Sequence, residues 1–193
     1  MSLEQDNLIP ISPFVRVNEL RRVLGTIAHR SNNGEFTLVK KQGWLAVPLE
    51  SGYHLDVLDQ AHLLKAILGQ GSKQMWAVSM EALENFPSAF SVSIDPDGIR
   101  TFNQQCGHFN FALFADEPSW VVIFSTDDYF IIVGPPDFVH TAAGGDAGAV
   151  FSNFQAFATD SKWPQEVSSK LLSVYKALKN EYTLADPDEL VHI

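Results

Sequence analysis

Two runs of the chain are apolar at every position, residues 120–124 (WVVIF) and 129–133 (YFIIV). A strand with no polar face is typical of a sheet that is covered on both sides. We therefore predict that these runs are the central strands of a sheet, with Ile123 and Ile131 in its interior. The four residues between them, Ser-Thr-Asp-Asp at 125–128, suffice for a tight turn.

Further strands are predicted on either side of this pair. Residues 75–80 (MWAVSM) and 108–114 (HFNFALF) have strand-like composition, and residues 89–94 (AFSVSI) alternate between apolar and serine positions. Asp-Pro-Asp-Gly at 95–98 is typical of a turn. Residues 36–40 and 44–49, separated by a Lys-Gln-Gly break, are predicted to form a hairpin. The strands together indicate an antiparallel meander.

Helical periodicity appears in three parts of the chain. The first follows Ser12 and Pro13, the second covers residues 56–68, and the third starts near Pro164 within a C-terminal helical segment at 146–183. Each has an apolar face that is predicted to pack on the sheet. These faces are Phe14, Val17, Leu20, Leu24 and Ile27 in the first, Val57, Ala61, Leu64 and Leu68 in the second, and Val167, Leu171, Val174, Tyr175 and Leu178 in the third.

These elements predict a single α+β domain over residues 1–193, with a central, mainly antiparallel sheet of about five or six strands. Helices from the N-terminal and C-terminal parts of the chain flank this sheet. Residues 1–11 and 184–193 are expected to be loosely held. Because both faces of the central strands must be covered, either the C-terminal helices or a second copy of the chain covers the second face. A homodimer is therefore one open expectation.

Charge is distributed unevenly along the chain, whose formal net charge is −10. Residues 101–161 contain no Lys or Arg and seven acidic side chains. Such a segment repels phosphate backbones, so we expect no nucleic-acid partner. A solvated acidic surface and a surface that attracts a basic protein both explain the pattern. The candidate residues for binding such a partner are Asp116, Glu117, Asp127 and Asp128.

Asp127 and Asp128 have two interpretations. Aspartate is favoured in tight turns because its side chain accepts hydrogen bonds from nearby backbone amides. The pair is therefore expected at this turn whatever the function, and the turn interpretation is the preferred one. The alternative is a functional carboxylate pair.

Cys106 and His108 are weak candidates for a catalytic pair. A thiolate beside an imidazole is an activated nucleophile, but active cysteine and histidine residues usually come from distant segments. The six histidines show no HxxxH or HxH spacing, and one cysteine cannot build a thiolate-rich site, so no metal or cofactor is predicted. Gly-rich residues 69–73 (GQGSK) do not match a phosphate-binding loop.

The composition is that of a soluble protein, and no run of about 18 apolar residues indicates a membrane span. With one cysteine and an N-terminus unlike a secretory signal, a cytoplasmic location is expected. The first functional hypothesis is a non-enzymatic, acidic protein-binding or regulatory module, such as an inhibitor or immunity-type partner of a basic protein. The alternatives are a small-ligand sensor with an aromatic pocket, and a hydrolase or transferase that uses Cys106 and His108.

Overall fold

The computed structural model describes residues 7–30, 36–52, 54–182 and 189–193. Within these residues the chain forms an α+β domain around an antiparallel sheet, as predicted, although this sheet has seven strands and not about five or six. The strands are β1 (Leu8–Pro10), β2 (Ala28–Arg30), β3 (Phe36–Val39), β4 (Leu45–Glu50), β5 (Met75–Ser79), β6 (Ala89–Val92), β7 (Phe111–Ala115), β8 (Val121–Ser125), β9 (Tyr129–Gly134) and β10 (Leu190–His192).

The helices are interspersed with these strands along the chain. They are α1 (Phe14–Leu24), α2 (Val57–Gly69), α3 (Pro96–Cys106), α4 (Pro136–Ala142), α5 (Ala147–Ala158) and α6 (Gln165–Lys176), and α6 continues into a π-helix at Ala177–Tyr182. The large sheet has the order β1-β6-β5-β7-β8-β9-β4, and a smaller sheet has the order β10-β3-β2.

The centre of the large sheet confirms the prediction from the two apolar runs. Every residue of β8 and β9 is buried, and Ile123 pairs directly with Ile131 across the two strands. Phe102 of α3 packs on Phe124 from one face, with ring centroids 5.1 Å apart. Phe154 of α5 packs on Tyr129 from the other face. Helices therefore cover both faces of these strands.

The hairpin predicted at residues 36–49 is wrong. β3 pairs with β2 and β10 in the small sheet, whereas β4 pairs with β9 at the edge of the large sheet. Both strands find their partners at long range, so their proximity in sequence does not join them. The edge position also explains Pro48, which is tolerated in an edge strand because its missing N–H removes no bond from a central ladder.

The turn predicted at residues 95–98 is the start of helix α3. Asp95 caps this helix by accepting a hydrogen bond from the Gly98 amide at 2.7 Å, and Pro96 takes a first-turn position. An aspartate followed by proline serves equally well as a turn and as a helix N-terminus. The strand predicted at 108–114 accordingly begins only at Phe111, after the loop that follows α3.

The buried face of α2 differs from the predicted one. Leu63, Ala66 and Ile67 are buried, whereas Val57, Ala61 and Leu68 of the predicted stripe are exposed and Leu64 is only partly buried. On α1, Phe14 is likewise exposed, although Val17, Leu20 and Leu24 are buried as predicted. The third predicted face is confirmed, since Leu171, Val174, Tyr175 and Leu178 are buried.

Both ends of the chain contribute strands within the described residues. β1 pairs with β6, and β10 pairs with β3, so the parts of segments 1–11 and 184–193 that are described here contain backbone ladders. Residues 1–6 and 184–188 lie outside the described residues.

Candidate functional site

An apolar groove with a volume of about 790 Å³ lies between α2 and α3. The backbone of Leu55, just before α2, bonds to the side chain of Asn103, so the start of α2 lies beside the C-terminal half of α3. The groove is lined by His54, Val57, Gln60, Ala61, Leu64, Lys65, Leu68, Pro96, Ile99, Arg100, Asn103 and Gln104.

Aliphatic side chains of α2 remain in contact with solvent along this groove. Val57 is 83% exposed and Leu68 is 57% exposed, and Leu58 beside them is 62% exposed. Ile99 of α3 is only 1% exposed, so it belongs to the hydrophobic core of the domain while it also forms part of the groove wall. Scattered single exposed apolar residues are ordinary, but a contiguous group along a groove is typical of an interaction surface.

A buried amide fixes the spacing of the two helices at one end of the groove. The Asn103 side chain accepts a hydrogen bond from the Leu55 amide at 2.8 Å and donates one to the Leu55 carbonyl at 2.9 Å. Both backbone groups of Leu55 are thereby satisfied in a buried position. The groove wall is therefore held by a specific contact and not by apolar packing alone.

The charged side chains that line the groove are basic. Lys65 comes from α2 and Arg100 from α3, and one nitrogen of the Arg100 guanidinium lies 2.9 Å from Asp97. His54 lies at the end near the start of α2. The lining contains no carboxylate among the described residues. The groove is therefore locally basic, although the net charge of the whole chain is −10.

Asp127 takes part in a hydrogen-bonded turn, which agrees with the preferred interpretation from sequence. Its amide donates to the Ser125 hydroxyl at 3.2 Å, and its carboxylate accepts from Lys170 of α6 at 2.7 Å. The preceding amide, that of Thr126, donates to the side chain of Asn110 at 3.3 Å. The carboxylate thus already has a cationic partner within the chain.

Asp128 occupies the position in this turn that needs an unusual backbone. Its φ angle is 60°, in the left-handed region that aspartate tolerates better than most residues. Its carbonyl accepts a hydrogen bond from the Ser51 amide at 2.8 Å. Burial raises the pKa of the Asp128 carboxyl, the nearby Asp127 raises it further, and Lys162 opposes the change.

Asp116 and Glu117 lie at the opposite end of the sheet from Asp127. They follow β7, whereas Asp127 follows β8. These neighbouring strands are antiparallel, so their C-terminal ends lie at opposite ends of the sheet. The Asp116 carboxylate accepts a hydrogen bond from the Trp76 indole and lies 3.9 Å from Arg16. The four acidic candidates therefore do not form one surface.

Replacing Asp127 with asparagine is expected to leave the fold intact. The Lys170 partner is 59% exposed, and ion pairs at this degree of exposure contribute at most about 1 kcal/mol. Urea denaturation should show one cooperative transition with a free energy of unfolding lowered by no more than about 1 kcal/mol. Lys170→Gln is the matched control, because it removes the same pair from the other side. Loss of cooperative unfolding in Asp127→Asn alone would show that the turn depends on the carboxylate charge.

Cys106 is fully buried at the end of α3, and burial raises the pKa of its thiol to about 12. The thiol is therefore protonated at neutral pH, whereas nucleophilic catalysis needs an accessible thiolate. His108 is exposed, and its ring packs edge-on against that of His54 with centroids 6.3 Å apart. These features argue against a catalytic role for the pair.

A polar cluster around Glu81 was not predicted from the sequence. The Glu81 carboxylate accepts hydrogen bonds from the backbone and side-chain amides of Asn110, at 3.1 and 2.9 Å, and from Arg30 at 3.3 Å. The hydroxyl of Ser79 donates to the Glu81 carbonyl at 2.8 Å. The Asn110 side chain also accepts a hydrogen bond from the Thr126 amide. The cluster therefore connects three loops at one end of the strands of the large sheet. This saturation of hydrogen bonds indicates a structural role.

Other features give less basis for a site. Among the described residues, no group of three or more His, Cys, Asp or Glu side chains is placed to hold a metal ion. In the same part of the chain no helix has the length and apolar character needed to cross a membrane. Aromatic rings such as those of Phe102, Phe111 and Phe124 are packed in the core, and the described residues that line the groove between α2 and α3 include no Phe, Trp or Tyr.

Comparison with protein-family models, curated proteins and solved structures gives no match for this chain. The functional argument therefore depends on the grooves and surfaces of the molecule itself.

Proposed function

We propose that this protein is a non-enzymatic binding module, and that it takes an apolar segment of a partner protein into the groove between α2 and α3. The observation that carries the proposal is the row of solvent-exposed aliphatic side chains on α2, with Val57 and Leu68 at its two ends. Covering them would remove apolar surface from water, which is the main favourable contribution to most protein associations.

The acidic residues support a different and weaker version of this proposal. Binding of a basic protein through Asp116, Glu117, Asp127 and Asp128 would require surfaces at both ends of the sheet. Asp116 and Asp127 would also have to give up the hydrogen bonds that they accept from Trp76 and Lys170 of the same chain. The apolar groove needs no such exchange, so we assign the binding role to it.

The two other hypotheses have less support. An aromatic ligand pocket would need rings that face a cavity, whereas the rings are packed against one another in the core. A cysteine hydrolase or transferase would need a reactive thiolate, and the buried thiol of Cys106 has a raised pKa.

Site-specific photo-crosslinking in the producing cells tests the proposal. A photoreactive residue at position 68 should give one discrete adduct, because Leu68 lies in the groove. The same residue at position 15 is the matched control, since Val15 is a similarly exposed aliphatic residue, 69% exposed, on α1. α1 lies on the other face of the sheet, where Arg16 packs over Trp76.

The partner identified in this way should then bind the purified protein, and binding should weaken about tenfold or more in Val57→Asp and in Leu68→Lys. Loss of one buried aliphatic contact costs about 1.5–3 kcal/mol, which corresponds to that factor. Both substitutions suit the helix, because an acidic residue is favourable in the first turn and a basic residue in the last. Equal adducts from positions 15 and 68, or binding unchanged by both substitutions, would contradict the proposal.

A further inference from the structure

The length of the groove indicates the form of the segment that fills it. From Val57 to Leu68 the helix rises 1.5 Å per residue, so its exposed apolar row is about 17 Å long. A partner helix of about three turns has the same length and can present apolar residues at i, i+3, i+4 and i+7. Packing of an amphipathic helix into an apolar groove is a recurrent mode of peptide recognition.

The charges beside the apolar row indicate what flanks the partner's apolar stripe. Lys65 lies on one wall of the groove and Arg100 on the other. Asp97 contacts one terminal nitrogen of Arg100, and a guanidinium has five N–H donors, so further donors remain for a second carboxylate. Lys65 has no carboxylate within 4 Å among the described residues.

We propose that the groove binds an amphipathic helix of a partner protein whose apolar stripe is flanked by glutamate or aspartate residues that meet Lys65 and Arg100. This inference rests on the proposed function, and it specifies the chemistry of the partner. The net charge of −10 does not oppose it at short range, because charges more than about 8 Å apart are largely screened at physiological ionic strength.

A second copy of this chain fits the groove less well. In a two-fold symmetric dimer the same patch on each copy meets its counterpart. Groove-to-groove contact would therefore bring Lys65 and Arg100 of one copy close to the same residues of the other. Like charges at such an interface are unfavourable, whereas acidic side chains on a partner helix complement them.

The test uses two synthetic 18-residue helical peptides with the same leucine stripe. One carries glutamate and the other lysine at the positions that flank the stripe. Fluorescence anisotropy with the full chain should show the glutamate peptide binding about fivefold to thirtyfold more tightly, as expected for two partly exposed ion pairs of about 0.5–1 kcal/mol each. The preference should decrease at high salt.

Charge reversal at the groove provides the specific control. Lys65→Glu combined with Arg100→Glu should reverse the preference, so that the lysine peptide binds more tightly. Arg22→Glu combined with Lys176→Glu changes the net charge equally, at exposed positions outside the groove lining, and should leave the preference unchanged.

The possible results separate this inference from the proposed function. Equal binding of the two peptides, or tighter binding of the lysine peptide, would overturn the acidic-helix inference and leave the groove as a binding surface. Failure of both peptides to bind would overturn both proposals. Sedimentation that shows a dimer abolished by Leu68→Lys would assign the groove to a second copy and would also overturn the inference.

Discussion

Replacing Ile131 with aspartate is expected to abolish the folded state. Ile131 is fully buried in β9, opposite Ile123 of β8, in the middle of a sheet that is covered on both faces. An unpaired carboxylate at this fully buried position beside Ile123 costs several kcal/mol. The total stability of a domain is about 5–15 kcal/mol, so this single cost approaches the whole.

Circular dichroism and urea denaturation measure this effect directly. Ile131→Asp should show no cooperative transition, and Ile123→Asp should behave in the same way because the two residues are cross-strand neighbours. Ile131→Val is the matched control and should remain folded, with a free energy of unfolding lowered by about 0.5–1.5 kcal/mol. A cooperative transition of near wild-type stability in Ile131→Asp would show that this part of the sheet is hydrated.

The central sheet could be predicted because β8 and β9 are apolar on both faces. In such a strand a shift of one residue changes nothing in the pattern, so the prediction does not depend on identifying the buried face. The face on α6 that contains Leu171 and Val174 is also confirmed, but for a different reason. The other side of that helix is polar, so only one face can pack on the core.

The position of α2 could not be predicted in this way, because its apolar residues are on more than one side. Leu63, Ala66 and Ile67 form one row, and Val57, Leu64 and Leu68 form another. Periodicity shows that both rows exist, but only the tertiary contacts with α3 and α4 decide which one is buried. The second apolar row on one helix was the sequence signal for the groove, although its periodicity predicts a core-facing stripe.

The polar contacts also depend on residues far apart in the chain. Glu81 meets Asn110, 29 residues away, and Asn103 meets Leu55, 48 residues away. No local spacing indicates such pairs. The wrong prediction of a hairpin that contains β4 has the same cause. β4 lies at the edge of the sheet and pairs with β9, which is distant in sequence. The fold class was accessible from local patterns, whereas the groove depends on how the elements meet.

Replacing Asn103 with alanine is expected to lower the free energy of unfolding by about 1–3 kcal/mol and to alter the groove. The substitution removes two hydrogen bonds at once and leaves the buried amide of Leu55 without its partner, whereas the Leu55 carbonyl still accepts a hydrogen bond from the Gln60 side chain. Each unsatisfied buried polar group costs about 1–3 kcal/mol. Urea denaturation measures the loss of stability, and Gln104→Ala, an exposed neighbour in the same groove, should change it by no more than about 0.5 kcal/mol.

The same variant connects stability to binding, because Asn103 fixes the start of α2 against α3. If the groove is the binding surface, Asn103→Ala should lower the affinity for the glutamate-flanked peptide even at temperatures where the variant is fully folded. The reason is that the two walls of the groove are then no longer held together at the end near Leu55. Unchanged stability would mean that water replaces the amide without cost. Lost stability with unchanged peptide affinity would mean that the groove keeps its shape without this contact, and that the apolar row on α2 alone determines binding.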